Sequence, residues 1–357
     1  MPSVNEDISD LALRHHVGIM RLGTATLRKL IPILNKADVE IVKKLQARDA
    51  TLQGSFTSKR LESLLKALKK INHDAHVELN REIRKDLGEL ASYEAGFQKR
   101  MIQAAVPIQL DIVSPSAKQL NAIVNARPFQ GKLLKDWLSE LEASRARRVR
   151  DAVRLGMVEG ETTNQIVRRI RGTKALQYKD GILQASRRGT EAMVRTAVAH
   201  TASAAREKLY EENTDIIANE IWVSTLDTRT CLQCAGLDGK IFDVGKGPRA
   251  PIHQNCRCIR TVVTKSWKEL GFNINDLPES TRASMNGQVP ATQTYGAWLN
   301  KQPAAVQDEA LGPTRGKLFR KGDLDVKSFT SRNGDELTLS ELAVKEANAF
   351  DKAGVSV

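Results

Sequence analysis

Apolar side chains recur at helical spacing almost from the start of this 357-residue chain. Over residues 8–48 they fall at Leu11, Val17, Met20, Leu27, Leu30, Ile31, Ile41 and Leu45, and Pro32 is expected to kink or divide that helix. The stretch QGSFTS then reads as a turn, with Thr57 or Ser58 as the N-cap of a second helix. That second helix has the most regular pattern in the chain. Leu61, Leu64, Leu65, Leu68, Ile71, Ala75, Leu79, Ile83, Leu87, Leu90, Phe97 and Met101 keep one face apolar over about 45 residues, or about 65 Å of helix. Together the two segments predict a long antiparallel helical hairpin, read as a structural stalk or as a seam that docks on a partner.

VPIQLDIVSPS breaks the periodicity and sets a boundary near 110. Shorter helices are expected at 116–126, 130–156, 162–171 and 188–212. From 219 the period changes: NEIWVST and KIFDV alternate as short strands, LDG marks a turn, and RCIRTVVT has the β-branched content of a third strand. The cysteine-rich stretch between them is therefore expected on strands and loops rather than on a helix. Beyond 275, Pro and Gly interrupt the pattern, leaving one helix around 303–310 and a capped helix near the end. The fold class expected is mainly α with a small α+β module. It comprises a long N-terminal helical hairpin, a central helical domain, a short-stranded zinc-stapled β module and a loosely structured C-terminal extension.

Composition supports helices: aromatics are only 4% of the chain and hydrophobic residues 41%, enough for a core. No run of about 20 apolar residues is present to span a bilayer, and no signal peptide is recognisable, so no membrane partner is expected. The net charge of +13 points to a polyanionic neighbour. Residues 145–188 hold 12 Arg or Lys against 4 Asp or Glu. Arg145, Arg147, Arg148, Arg150, Arg154, Arg168, Arg169, Arg171, Arg187 and Arg188 are the candidate polyanion contacts, for double-stranded DNA or an acidic protein surface. The helix after GMVEGETT also fits the second half of a helix-turn-helix, or any helical bundle.

All four cysteines lie within CLQCAGLDGKIFDVGKGPRAPIHQNCRC, residues 231–258. The spacing is C-x2-C, 18 residues, then H-x2-C-x-C. Paired thiols two residues apart turn both sulfurs toward one ion, and a second such group completes a tetrahedron. Structural Zn2+ is the expected cofactor, held by four of Cys231, Cys234, His253, Cys256 and Cys258, with Cys256 and Cys258 competing for one place. A reducing compartment favours ligation over disulfides. A zinc deaminase is not supported, since Thr230 stands where that motif has proline and the only H-x-E lies at 76–78. With no phosphate loop, no dinucleotide fingerprint and no Ser/His/Asp set, no small-molecule substrate is expected and the chain is read as not an enzyme.

The stretch LDTRTCLQCAGLDGKIF…GPRAPIHQNCRC resembles the phage head-morphogenesis family typified by the minor head protein F of phage Mu. The residues that carry the resemblance are Asp227, Arg229, Thr230, Cys231, Cys234, Leu237, Gly239, Pro251, His253, Cys256, Arg257 and Cys258. Leu232 departs from the proline common after the first cysteine. The resemblance covers about 125–265 and implies an N-terminal helical arm at 1–110, a head-morphogenesis domain at 111–275 with a metal clasp at 231–258, and a C-terminal extension at 276–357. It implies a minor capsid protein that acts in head assembly, made in the host bacterial cytoplasm and carried in the virion near the portal vertex. Its partners would be the portal protein and a major capsid or scaffold protein, with contact to packaged DNA as a further implication. The alternatives are a DNA-binding protein using the basic helices 145–188, and a zinc-dependent nuclease.

Overall fold

The structure, a computed structural model, describes residues 4–47, 58–105, 109–266, 269–270 and 281–356. It is mainly helical with a small antiparallel sheet module. Two long helices come first, α1 (Val4–Gln46) and α2 (Ser58–Ala105), followed by α3 (Ala117–Ala126), α4 (Leu134–Val158), α5 (Thr163–Arg171) and α6 (Ile182–Glu211). The N-cap expected at Thr57 lies outside the described residues. Pro32 does not divide α1, which continues through it. Pro32 faces solvent, and so does Arg28, the residue whose carbonyl loses its bond, so water can satisfy that oxygen while Leu30 and Leu34 stay buried. Leu11 and Val17 were expected inside and are 42% and 44% exposed. The buried stripe runs instead through Ile8, Ala12, Ile19, Leu27, Leu30, Leu34 and Ile41.

Packing divides the chain into two compact units that do not follow chain order. One gathers residues 1–19, 93–116 and 202–357, the other residues 20–92 and 117–201. In the second unit Ile41 and Leu45 of α1, Leu64 and Leu68 of α2, Val149 and Val153 of α4, and Ile166 and Ile170 of α5 form one buried cluster with Leu183. The start of α5 is fixed by a capping box, in which Thr162 Oγ1 accepts from Gln165 N at 3.3 Å and Gln165 Oε1 accepts from Thr162 N at 2.7 Å. Asp86 of α2 takes Lys29 and Thr26 of α1, consistent with antiparallel neighbours.

In the first unit, β1 (Ile217–Val223) is the central strand of the order β2-β1-β3, flanked by β2 (Ile241–Asp243) and β3 (Ile259–Thr264), both antiparallel to it. Ile217, Val223, Ile259 and Val262 pack with Ile8, Ala12, Met101, Leu209 and Tyr210. Buried among these helices, Glu94 accepts from Arg206 Nη2 at 2.9 Å and meets His15 Nε2 at 2.5 Å. Burial works against that carboxylate, yet Arg206 and then His15 hold it down at about 2. Burial, and then Arg206, push the neighbouring His16 down to about 4.

The C-terminal part corrects the expectation of a loose extension. A hairpin of β4 (Thr281–Ser284) and β5 (Gly287–Pro290) leads into α8 (Tyr295–Asn300), α9 (Ala304–Leu311), α10 (Pro313–Lys321), α11 (Leu339–Lys345) and α12 (Ala347–Ala353). Tyr295, Trp298, Leu299, Leu318, Phe329, Leu342 and Phe350 form a core of their own, which also receives Leu226, Leu232 and Ala235 from the cysteine-rich segment. The extension is thus the floor on which that segment rests.

Candidate metal centre

The first cysteine pair begins a helix, which corrects the expectation of strands and loops alone. Cys231 is the N-cap of α7 (Leu232–Leu237), and its Sγ accepts from the backbone N–H of Cys234 at 3.4 Å. One turn of helix therefore brings Cys231 and Cys234 to the same end. Gly236 faces Thr330, where a Cβ would come within 3.2 Å of the hydroxyl, so α7 lies close on the C-terminal core. The second group arrives on the loop between β2 and β3. That loop bends through the cis Ala250–Pro251 bond, and Asn255 takes a left-handed φ of 58° between His253 and Cys256. Cys256 N donates to the His253 carbonyl at 3.2 Å.

The resulting distances match the edges of a tetrahedron around one ion. With Zn–S near 2.3 Å and Zn–N near 2.05 Å, a tetrahedral site needs S···S of about 3.8 Å and S···N of about 3.6 Å. Here Cys234 Sγ lies 3.7 Å from Cys256 Sγ, and His253 Nε2 lies 3.3 Å from Cys231 Sγ and 3.7 Å from Cys234 Sγ. All four thiols are free, and 3.7 Å is far beyond a disulfide bond. The cluster contains two triads, Cys231–Cys234–His253 and Cys234–Cys256–Cys258, which share Cys234. His253 Nδ1 is 2.9 Å from the Gln254 carbonyl, which can only accept, so the proton sits on Nδ1 and Nε2 is turned toward the sulfurs. Hydrogen bonding by Cys234, and then His253, pulls the Cys231 thiol down to about 4, which favours the thiolate a metal requires.

Around the sulfurs stands a shell of buried polar contacts. Ser224 Oγ donates to the Cys234 carbonyl at 2.7 Å and accepts from Trp222 Nε1 at 3.1 Å. Asp227 holds Arg257 through both guanidinium ends, one at 2.8 Å, and thereby fixes the residue between Cys256 and Cys258. Thr225 Oγ1 donates to the Arg257 carbonyl at 3.1 Å, and Thr230 Oγ1 to the Thr225 carbonyl at 2.5 Å. Gly239, at φ 77°, turns the chain so that its N–H meets the Trp222 carbonyl. Arg229 is exposed, with its backbone N–H on Asp227 Oδ1 at 3.0 Å. Sequence reasoning missed Asp238. Fully buried, it accepts from Ser224 N at 2.6 Å, Tyr295 N at 2.7 Å and both ends of Arg282. LDG had read only as a turn, and Arg282 lies 44 residues away.

The basic segment is less uniform than its composition suggests. Arg147, Arg148, Arg150, Arg154, Arg168, Arg171 and Arg188 are exposed. Arg150 pairs with the adjacent Asp151, and Arg169 with Glu159 and Glu161. Arg187 bonds Asp38 at 2.7 Å. Arg145 is corrected as a polyanion contact: it is 2% exposed and its guanidinium is bound to Asp38. His200 is half-buried with its ring stacked on Phe129, and desolvation lowers it to about 4. Among the described residues no helix is long and apolar enough to cross a membrane.

Residues 147–261 match the family model described as Phage Mu protein F like protein. The match runs from α4 to the middle of β3 and so contains the whole cysteine–histidine cluster. A 192-residue stretch is 27% identical to a protein of Enterococcus faecalis (strain ATCC 700802 / V583) named NAD(+)–arginine ADP-ribosyltransferase EFV. That alignment takes in 49% of this chain and 36% of the relative, so the chain spans about a third of the length of the curated relative it matches. The reading of the chain as not an enzyme is corrected by this likeness to a protein named for an enzymatic activity, which removes the ground for a flat exclusion. At that identity and coverage, the likeness does not carry the relative's activity over to this chain. No solved structure matches. Over residues 147–261, which hold the cluster just described, this chain is similar to the family of phage Mu protein F like proteins.

Proposed function

We propose that the protein is a phage minor head protein that acts in head assembly, held at the interior of the capsid by contacts with the portal and with a major capsid or scaffold protein. The observation that carries this reading is the family match over residues 147–261. In this reading the cysteine–histidine cluster is a structural zinc clasp. Cys231, Cys234, His253 and Cys256 supply the ligands, because the three distances that fit tetrahedral edges link those four residues. Cys258, buried beside Cys234 and Cys256, is the alternative to Cys256. The ion would join α7 to the loop before β3, where a three-stranded sheet has little core of its own. The chain-order division into an arm at 1–110, a head domain at 111–275 and an extension at 276–357 belongs to the same proposal.

A second reading, DNA contact by the basic helices, is favoured by the exposure of Arg147, Arg148, Arg154, Arg168 and Arg188. Affinity purification of the tagged full chain from phage-producing bacteria tests the first reading: portal or capsid proteins are expected in the eluate and the chain itself in purified virions. Virions that form normally without it would overturn the proposal. Binding of duplex DNA that weakens steeply with salt, together with the absence of any head protein, would favour the second reading.

A further inference from the structure

A half-enclosed cavity of about 440 Å³ opens in the second unit between α1, the turn after α5 and the start of α6. This volume falls in the range of pockets that enclose small ligands. Its charge is unbalanced. Asp38 is the one carboxylate in the wall, and both its oxygens are taken, one by Arg187 and the other by the buried Arg145. Lys43 and Arg171 also line it, and neither meets a carboxylate among the described residues. Arg187 Nε is buried with no hydrogen-bond partner in the structure. Half-buried Arg187 and the solvent-facing Lys43 and Arg171 thus line one cavity whose single carboxylate is already occupied. An excess of positive charge of this kind attracts an anion.

The turn that completes the wall is tightly built. Gly172 has φ 95°, and a Cβ at Gly181 would overlap the Arg171 carbonyl. Asp180 Oδ1 accepts from Thr173 N at 2.9 Å, and the Tyr178 amide donates to the Thr173 carbonyl at 2.8 Å. Within it Tyr178 is held at φ 62°, a conformation that residues with a β-carbon rarely adopt. The Arg171 guanidinium lies 4.5 Å above its ring. Asn35, Gln46 and Gln184 add carboxamides, which both donate and accept.

We propose that this cavity binds a nucleotide, with the phosphate monoester held by Arg187, Lys43 and Arg171 and the heterocycle against Tyr178 and the carboxamides. Guanidinium and ammonium groups supply the charge-assisted bonds a phosphate needs, while an aromatic ring and planar amides suit a base. The two sources of such a group are a free nucleotide and the 5′-phosphorylated end of a nucleic-acid strand. The site is independent of the zinc clasp and of the head-assembly reading.

Calorimetric titration of the full chain with AMP, adenosine and inorganic phosphate tests it. AMP is expected to bind at least about ten-fold more tightly than either fragment. Lys43→Gln and Arg171→Gln should each weaken AMP about ten-fold or more while leaving the melting temperature unchanged. Tyr178→Asn should also lose AMP affinity but hold or raise the melting temperature, because Asn accepts the left-handed conformation. Displacement of AMP by a 5′-phosphorylated oligonucleotide assigns the source to a strand end, and its failure assigns it to free nucleotide. No heat with AMP up to about 1 mM, equal affinity for inorganic phosphate, or unchanged binding in the two cation variants would overturn the proposal.

Discussion

The clasp region and the α1–α5–α6 cavity both gather charged side chains, and they handle them in opposite ways. Around the clasp three arginines pair with three different acids: Arg257 with Asp227, Arg260 with Glu220, Arg282 with Asp238. In the cavity a single acid, Asp38, serves both Arg145 and Arg187, with Lys43 and Arg171 beside them. Pairing each guanidinium with a carboxylate makes a rigid frame, whose work is to hold side chains still. A surplus of one sign in a cavity is a place prepared for something that is not part of the chain. The cysteine cluster follows the same logic with different chemistry, since the proposed zinc would be the cation that thiolates hold.

The largest effect that would break this comparison is removal of the metal. Structural zinc contributes on the order of 10 kcal/mol to small modules, so a strong chelator should unfold the clasp. Trp222, fully buried beside the cysteines, is the reporter: its emission should shift to the red on chelation and recover with added zinc. The cavity turn should not respond.

Next in size come the two acids. Asp238→Ala leaves the buried Arg282 without its carboxylate and strips two backbone amides, a loss of about 3–5 kcal/mol in denaturant titrations. Asp38→Ala orphans Arg145 and should destabilise by a similar amount. Added inorganic phosphate should restore part of the loss for Asp38→Ala and none for Asp238→Ala, because only Asp38 lines a cavity.

A third effect is on pH. His16 in the first unit and His200 in the second both titrate near 4 when folded and near 6.5 when unfolded. Between those values the unfolded chain binds more protons, so stability should fall on acidification from 6.5 toward 4, by about 3 kcal/mol for the more deeply buried His16. Glu94 acts below that window: its contribution is present above about 4.5 and is lost as pH falls toward 2. His16→Gln should flatten the slope in chemical denaturation measured across that range. The smallest effect concerns α5, where Thr162→Ala removes the capping box at a cost of about 1 kcal/mol without touching zinc content.

These features were unequally legible in the sequence. α2 and α4 could be read because long unbroken periodicity reports a buried face directly. The cysteine–histidine cluster could be read because its side chains recur at spacings that a metal site would impose. The C-terminal core could not, since its punctuation looks like loop: Pro303 caps α9, Gly312 sits at φ 79° between α9 and α10, and Pro313 opens α10. Each residue that breaks a pattern there is starting or ending a short helix. The charge networks were hidden for a different reason. Asp38 and Arg145 stand 107 residues apart, and composition counted Arg145 as surface when it is core.

The most direct measurement is metal content of the purified full chain, compared with Cys234→Ser and Arg171→Gln. Because Cys234 belongs to both triads, the account predicts about one zinc per chain in the wild type and in Arg171→Gln, and loss of the metal in Cys234→Ser. Wild-type protein purified without chelator that carries no zinc, or Cys234→Ser protein that retains it, would contradict the account.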